Sequence, residues 1–347
     1  MITIYNFNTI KYKQTLKMST SAPITKIKSS IKISKNLLSC FLPFYYLQLI
    51  LSCPKYHVCG NIVTPIGVKA IVYCVIGNTL LTVGWFWRII SPDSFTDKTN
   101  KIQDKLYVLY TNSIHLLNYS LLMIGFVINM INNISQRRNI VILMKEIQNL
   151  NINEKELKKY TLKNRCFCFV LVILFFTVYT MNHSTILNPK TNPYLNFLLD
   201  IPLLTFDVNI MYAVGCITLM RHAAQKIKEM LKVELINEDR VIFEVYETYV
   251  GILKTFELYE KVFQDVVTRL LFYFKVTLFS CLQSNLTVML FVGTVSMKRL
   301  FFVILLSDQE EKFYDLLRDI QATCYRILGS GECKRKCDCI IFGLCQS

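Results

Sequence analysis

Six apolar stretches dominate the chain, and each is long enough to lie in lipid. A helix needs about 20 mostly apolar residues to cross the roughly 30 Å hydrocarbon core of a bilayer. Because backbone amides in lipid must be hydrogen-bonded within the segment, helices are the only economical structure for such stretches. They cover residues 66–90, 106–134, 166–187, 195–220, 266–284 and 286–306. The sequence therefore predicts an all-α fold, a polytopic membrane bundle of about six transmembrane helices.

The basic residues lie in alternating loops, and this predicts the orientation of the bundle. The formal net charge is +15, yet only 18% of the residues are charged, against about 25% in an ordinary soluble domain. Lysine and arginine are concentrated in 1–65 and 135–165 and are sparse in 91–105 and 188–194. Since basic loops are retained in the cytoplasm, we expect a multi-pass plasma-membrane protein with a cytoplasmic amino terminus. The basic excess then sets topology and contacts membrane lipid, and nucleic acid is not an expected partner.

Three parts are predicted along the chain. Residues 1–65 form a cytoplasmic amino-terminal tail, 66–306 form the transmembrane bundle with cytoplasmic anchor helices at 221–265, and 307–347 form a cytoplasmic helix and a cysteine-rich tail. In the first part, residues 37–53 are apolar but short, and Pro43 interrupts them. Such a stretch is typical of an interfacial helix lying on the inner leaflet. If it crossed the bilayer instead, the orientation of everything after it would invert or one later stretch would not cross.

Signatures of catalysis and of metal binding are not found in the sequence. There is no paired-aspartate metal motif, no G-x-S-x-G and no P-loop, and the four histidines fall on different segments. Five of the thirteen cysteines lie near the carboxyl end, at Cys324, Cys333, Cys337, Cys339 and Cys345. They lack the two close pairs of a structural zinc site. We expect reduced thiols there, no metal, no cofactor and no enzymatic activity.

Polar side chains inside the predicted spans are candidates for a site, because each is costly in lipid. They include His115 and Asn118 in the second span and Asp200 and Asp207 in the fourth. Their concentration toward the outer half of the bundle predicts an outward-facing pocket. The alternative is structural: Asp207 pairs with Lys275 across helices, and the asparagines are interhelical hydrogen-bond partners.

The segments 221–265 and 310–328 are amphipathic and are predicted to lie on the cytoplasmic side. After a polar break at Asn237–Arg240, apolar residues of the first segment recur at three- and four-residue steps, which is the spacing of one helix face. The stripe consists of Phe243, Tyr246, Val250, Leu253 and Phe256. It predicts an assembly surface between subunits, and the alternative is an intramolecular cap over the bundle.

Three segments resemble those of insect gustatory receptors. They are FLPFYYLQLIL at 41–51, VYETYVGILKTFELYEKVFQ at 245–264 and EKFYDLLRDIQATC at 311–324. The resemblance covers roughly residues 40–330 and rests on diffuse patterns. It implies a ligand-gated cation channel built from seven-helix subunits, which assemble as homo- or hetero-tetramers with related receptor subunits.

The resemblance also implies a tastant pocket in the outer half of the bundle and an anchor layer at 221–265 and 307–330. The ligand-binding candidates are Tyr107, Tyr110, His115, Asn118, Tyr179, His183, Asp200 and Gln283. The family's seventh span, with Thr-Tyr, five apolar residues and Gln-Phe, is not found after Cys324. We therefore expect a shortened subunit that does not conduct ions alone.

Other classes of membrane protein are alternatives, among them a multipass enzyme or scaffold, which a detectable metal or turnover would favour. A G-protein-coupled-type receptor is disfavoured because no Asp-Arg-Tyr follows the third span and no Asn-Pro-x-x-Tyr is present. A small multipass transporter is disfavoured because the sequence has no internal repeat or pair of broken helices. The location of the amino terminus separates a gustatory receptor, which has it inside the cell, from a G-protein-coupled-type receptor, which has it outside.

Overall fold

The computed structural model describes residues 30–90, 120, 123–185, 193–233, 244–264 and 286–330. Within these ranges the backbone alone is described at 85–90, 178–185, 193–203, 232–233, 286–296, 299 and 327–330. The helices are α1 (Lys35–Ile50), α2 (Val68–Ile90), α3 (Met123–Ser135), α4 (Arg137–Asn149), α5 (Glu154–Thr185), α6 (Pro193–Val233), α7 (244–264) and α8 (Leu286–Ser330). The strands are β1 (Ile31–Lys32), β2 (Tyr56–Cys59) and β3 (Ile62–Pro65). The protein is mostly helical, so the predicted helical class is confirmed.

One helix in the described residues is long and apolar enough to cross a membrane, over Glu154–Thr177 of α5. Two shorter apolar helical segments are Val68–Gly84 in α2 and Met123–Ser135 in α3. The fifth predicted span, 266–284, lies outside the described residues. A bundle of about six transmembrane helices therefore stays a prediction.

A small antiparallel sheet, in the order β1-β3-β2, departs from the all-α expectation. Gly60 and Asn61 connect β2 to β3, and Gly60 has a φ of +61°, which a residue without Cβ adopts at little cost. Ile31 pairs with Val63, so the strand before α1 is held beside the hairpin. A Gly-Asn pair between two short apolar runs is a known hairpin signal, and it explains the sheet in retrospect.

The helix α1 is a core element, whereas the sequence predicts an interfacial one. Ser34 caps it by accepting a hydrogen bond from the Leu37 amide, and the helix continues through Pro43. On either side of the proline, Phe41 and Phe44 are completely buried. Their packing holds the helix together at the point where the proline removes a backbone donor.

The helices α6 and α8 run parallel in register and pack extensively against each other. The side chains of Asp207 and Lys298 bond across this contact, and Lys228 bonds Asp319 further along; both pairs are 91 positions apart. The sequence predicts a separate amphipathic helix at 310–328, but the structure joins it to the preceding apolar stretch in one helix of 45 residues. No glycine or proline lies between 294 and 328 to end the helix, and both strongly disfavour helix interiors.

The helix α7 runs antiparallel to α8 and closes the core. The Tyr259 hydroxyl donates to Glu310 at 3.0 Å, and Gln321 donates to the Tyr249 hydroxyl at 3.2 Å. The partner with the lower residue number on α7 thus bonds the residue with the higher number on α8, as in antiparallel helices. At the centre of the core, the Tyr212 ring of α6 lies 4.9 Å from the Phe41 ring and 5.8 Å from the Phe263 ring.

Candidate functional site

The structure does not describe the side chains of the predicted tastant pocket. Tyr107, Tyr110, His115, Asn118 and Gln283 lie outside the described residues. The backbone of α5 carries Tyr179 and His183 near its end, and that of α6 carries Asp200 in its third turn. The outer pocket therefore stays a prediction.

A chain of three buried amide side chains crosses the interior and links α1, α3 and α6. Gln48 donates to the side-chain carbonyl of Asn209 at 3.3 Å, and Asn209 donates to that of Asn129 at 3.0 Å. All three are buried. Buried amides that bond one another hold helices in one register, and this is the structural role expected of asparagines in a bundle.

Lys55 is a buried cation that lies next to this chain. It is 0% exposed and donates to the side-chain carbonyl of Asn133 at 2.9 Å. Its ammonium also lies 5.9 Å from the centre of the Tyr212 ring and 5.3 Å from that of Phe263. Two electron-rich ring faces within about 6 Å stabilise a cation. Burial nevertheless lowers the pKa of Lys55 to about 8, while Cys53 opposes the shift.

An ion pair joins α6 to α8 within two apolar stretches. The Lys298 ammonium lies 2.6 Å from a carboxylate oxygen of Asp207, with side-chain exposures of 23% and 1%. The sequence suggests Lys275, which lies outside the described residues, as a structural partner of Asp207, whereas the structure gives Lys298 as its partner. A charge inside an apolar stretch is tolerated when an opposite charge is hydrogen-bonded to it.

Together these groups form a buried polar layer, which we define as Gln48, Lys55, Asn129, Asn133, Asp207, Asn209 and Lys298. Within the described part of the chain, three buried amide atoms in and around it have no hydrogen-bond partner. They are Gln48 Oε1, Asn129 Nδ2 and Asn78 Oδ1. Since buried polar atoms are normally bonded, the layer offers donors and acceptors beyond those its own side chains use.

The predicted assembly stripe contacts the protein's own core where its side chains are described. Leu253 is buried, and the Phe256 ring lies 5.1 Å from the ring of Phe313 and 5.4 Å from that of Tyr314 on α8. Tyr246 also packs against the core, while Phe243 lies outside the described residues. These contacts favour the alternative of an internal cap for this part of α7, and the assembly role stays a prediction.

The cysteines of the described residues are all free thiols. Cys53 is buried and Cys59 is exposed, and they form no disulfide. Burial raises the pKa of Cys53 to about 12, against the opposing effect of Lys55, so this thiol stays protonated. Among the described residues no group of three metal-ligating side chains is found, and Cys333, Cys337, Cys339 and Cys345 lie outside them.

Several members of the buried polar layer are not among the residues predicted from the sequence. Asn129 and Asn209 lie within predicted spans, so the rule that selected His115 could have found them. Lys55 gives no such signal, because it lies in a polar-looking segment before the first span. Only its packing against α3, α6 and α7 makes it a buried charge.

The comparisons with known proteins add no identification. No protein-family model matches the chain, and no curated protein matches it.

Proposed function

We propose that this chain is a chemosensory receptor subunit of the plasma membrane, of the kind that insect gustatory receptors represent. In this proposal it is a polytopic, tetramer-forming subunit of a ligand-gated cation channel, homo- or hetero-oligomeric with related subunits. A small tastant binds in the outer half of its bundle. The resemblance of 41–51, 245–264 and 311–324 to that family supplies the receptor class.

The observation that carries the membrane part of the proposal is the apolar outer surface of several helices. Large apolar side chains are exposed on the outside of the helices, while amides and charges are buried within. The exposed side chains include Val68, Val72, Ile76, Leu80 and Val83 on α2, Phe169, Val170, Ile173, Leu174 and Phe176 on α5, and Met297, Phe301 and Ile304 on α8. In water such a surface would cost about 25 cal/mol per Å², and soluble monomers rarely expose one. Against lipid tails it costs nothing.

The lengths of α6 and α8 support the same arrangement. They have 41 and 45 residues, about 60 and 70 Å at the rise of a helix, which is roughly twice the hydrocarbon thickness. Each begins apolar and becomes charged after Met220 or Leu306. Helices of this form extend from the membrane into the cytoplasm, as the proposed anchor layer requires.

The parallel direction of α6 and α8 agrees with the proposed topology. If α6 crosses inward, the chain must return outward through 266–284 before α8 crosses inward again. The antiparallel contact of α7 with α8 is the start of that return. An amino terminus in the cytoplasm follows from the same order of crossings.

Epitope accessibility in expressing cells tests the proposal. An amino-terminal tag is expected to bind antibody only after permeabilisation, while a tag inserted within 188–194 is expected to bind on intact cells. The reverse pattern would favour the G-protein-coupled class. Access to neither tag on intact cells would contradict a multi-pass receptor at the plasma membrane.

A further inference from the structure

A cavity of about 380 Å³ opens between α6 and α8, at the level where both helices change from apolar to charged. It is lined by Arg221, His222 and Gln225 of α6 and by Lys312, Asp315 and Leu316 of α8. It is an open depression on the surface of the two helices rather than an enclosed pocket.

Hydrogen bonds fix the relative height of the two helices at this cavity. Arg221 donates to the side-chain carbonyl of Gln309 at 2.8 Å, and the Thr218 hydroxyl lies 3.4 Å from the same oxygen. The last apolar turn of α6 therefore lies level with the start of the charged part of α8. In the proposed orientation, this level is the inner surface of the membrane.

The cavity is surrounded by more cations than anions. Arg221 is bonded to a neutral amide, and the ion pairs of the described residues give it no carboxylate. Lys312 pairs with Asp308 and Asp315 pairs with Arg318, so these two pairs carry no net charge and the excess at the cavity comes from Arg221.

Charged side chains of α5 also act on His222, one of the lining residues. Burial lowers the pKa of His222, and the charge of Arg221 lowers it next most strongly. Glu156 of α5 opposes the shift, while Lys159 and Lys163 of the same helix add to it less strongly. Burial is therefore the main cause of the lowered pKa, and the basic side chains near His222 act in the same direction.

We propose that this cavity binds a phosphate ester, namely the phosphorylated headgroup of an anionic lipid in the inner leaflet. Arg221 and Lys312 contact the phosphate oxygens, since guanidinium and ammonium groups are strong partners of phosphate. The exposed apolar side chains Phe301 and Ile304 lie on the apolar part of α8 that leads away from the cavity, where acyl chains would lie. The site rests on the membrane orientation of the proposed function.

Lipid titration of the purified full chain in nanodiscs tests this site. Phosphatidylcholine discs with a small fraction of fluorescent phosphatidylinositol bisphosphate serve as the probe, with Arg221→Gln and Lys312→Gln as variants. Each substitution is expected to weaken binding about fivefold, the effect of one basic residue near a charged headgroup, and Arg221→Lys is expected to retain most of it. Lys254→Gln is the control, because Lys254 is a basic side chain of α7, 61% exposed and paired with Glu146.

Three outcomes overturn the proposal. The double variant could bind like the wild type, or Lys254→Gln could weaken binding as much as Arg221→Gln does, which would indicate a diffuse surface effect. Soluble inositol trisphosphate could compete at the concentration at which the lipid binds, which would make a free phosphate ester the ligand. An inverted topology or a missing tastant response would contradict the proposed function. Neither would change this titration, because nanodiscs expose both faces of the bilayer.

Discussion

Lys55 lies in the least favourable environment of any described cation, and its neighbours show how the fold tolerates it. One amide oxygen and two aromatic rings replace the water that an ammonium normally binds. They do not compensate fully, because burial lowers its pKa from 10.5 to about 8. The unfavourable burial of this ammonium can be tested by substitution and, separately, by changing the pH.

The stability of the protein is expected to rise with pH between about 8 and 10.5 because of Lys55. In this window the unfolded chain still binds the proton that the folded chain has released, and stability rises wherever the unfolded state binds more protons. From pH 8 to pH 9.5 the gain is about 1 to 2 kcal/mol. In Lys55→Met this increment is expected to vanish, measured as the difference in melting temperature between the two pH values in detergent. Equal pH slopes for both proteins would place the titration elsewhere.

The ion pair of Asp207 and Lys298 is expected to respond asymmetrically to substitution. Lys298→Met leaves the buried carboxylate without a cation and is expected to cost about 3 to 5 kcal/mol. Asp207→Leu is expected to cost less, because Lys298 is 23% exposed and can turn toward a polar surface. Joining both changes is expected to restore most of the stability, since an apolar pair can replace a buried ion pair. Additive losses in the double variant, measured by thermal unfolding, would show that the two side chains do not interact.

At the scale of elements, long helices are fixed in register by a few polar contacts. The pairs Asp207–Lys298 and Lys228–Asp319 lie 21 residues apart along α6, so they bracket most of its contact with α8. Between them, apolar side chains supply the packing. Apolar packing alone is weakly specific for register, and hydrogen-bonded polar side chains add that specificity.

The packing of α1 gives a prediction with a control in the same helix. Phe44→Ala is expected to destabilise the protein by about 3 to 5 kcal/mol, because it leaves a cavity where a fully buried ring contacts Tyr212. Tyr46→Ala, two residues away and 54% exposed, is expected to change stability by about 0.5 kcal/mol or less. Thermal unfolding in detergent measures both. Equal effects would mean that α1 lies on a surface, as the sequence analysis expects.

The two interpretations of the α7 stripe predict different results for Phe256→Glu. If the stripe is an internal cap, the charge is expected to lower the melting temperature, because it disrupts the contacts with Phe313 and Tyr314. If the stripe is an assembly surface, size-exclusion chromatography is expected to show loss of a large species at an unchanged melting temperature. Glu257→Lys on the exposed face of α7 is the charge-changing control.

At the scale of the whole molecule, apolar exteriors and buried polar groups argue for lipid as the solvent. The proposed pocket in the outer half would be the part of the molecule that meets tastants. Asp200 and His183 lie toward the outer ends of α6 and α5 in the proposed topology. They are the candidates whose charge or hydrogen bonding is simplest to remove.

Substituting Asp200 or His183 by alanine is expected to shift the tastant dose–response curve without loss of surface expression. The readout is cation flux in cells that co-express a related receptor subunit. Lys254→Ala, at an exposed position of α7 outside the candidate pocket, is expected to leave the curve unchanged. If both pocket variants respond like the wild type, the tastant binds elsewhere.

The sequence predicts the helical class and the amphipathic character of 221–265, because hydrophobic periodicity is a local property of the chain. It also identifies polar side chains inside apolar stretches as candidates for a site. Those signals predict helices well wherever the pattern is long and strong. They do not show which polar residues face one another, so the sequence suggests Lys275 rather than Lys298 as the ion-pair partner of Asp207. The sequence also does not predict a single 45-residue α8, since an amphipathic pattern begins in its carboxyl-terminal half.

The sequence by itself determined that this protein is helical and rich in apolar stretches, and that its basic segments alternate along the chain. Tertiary structure alone decided that Lys55 is buried, that α1 belongs to the core and that α6 and α8 lie parallel in register. Burial and pairing depend on groups brought together from distant positions, such as Lys55 and Asn133. No local pattern encodes those distances, because each residue carries its own polarity but not that of its eventual neighbours.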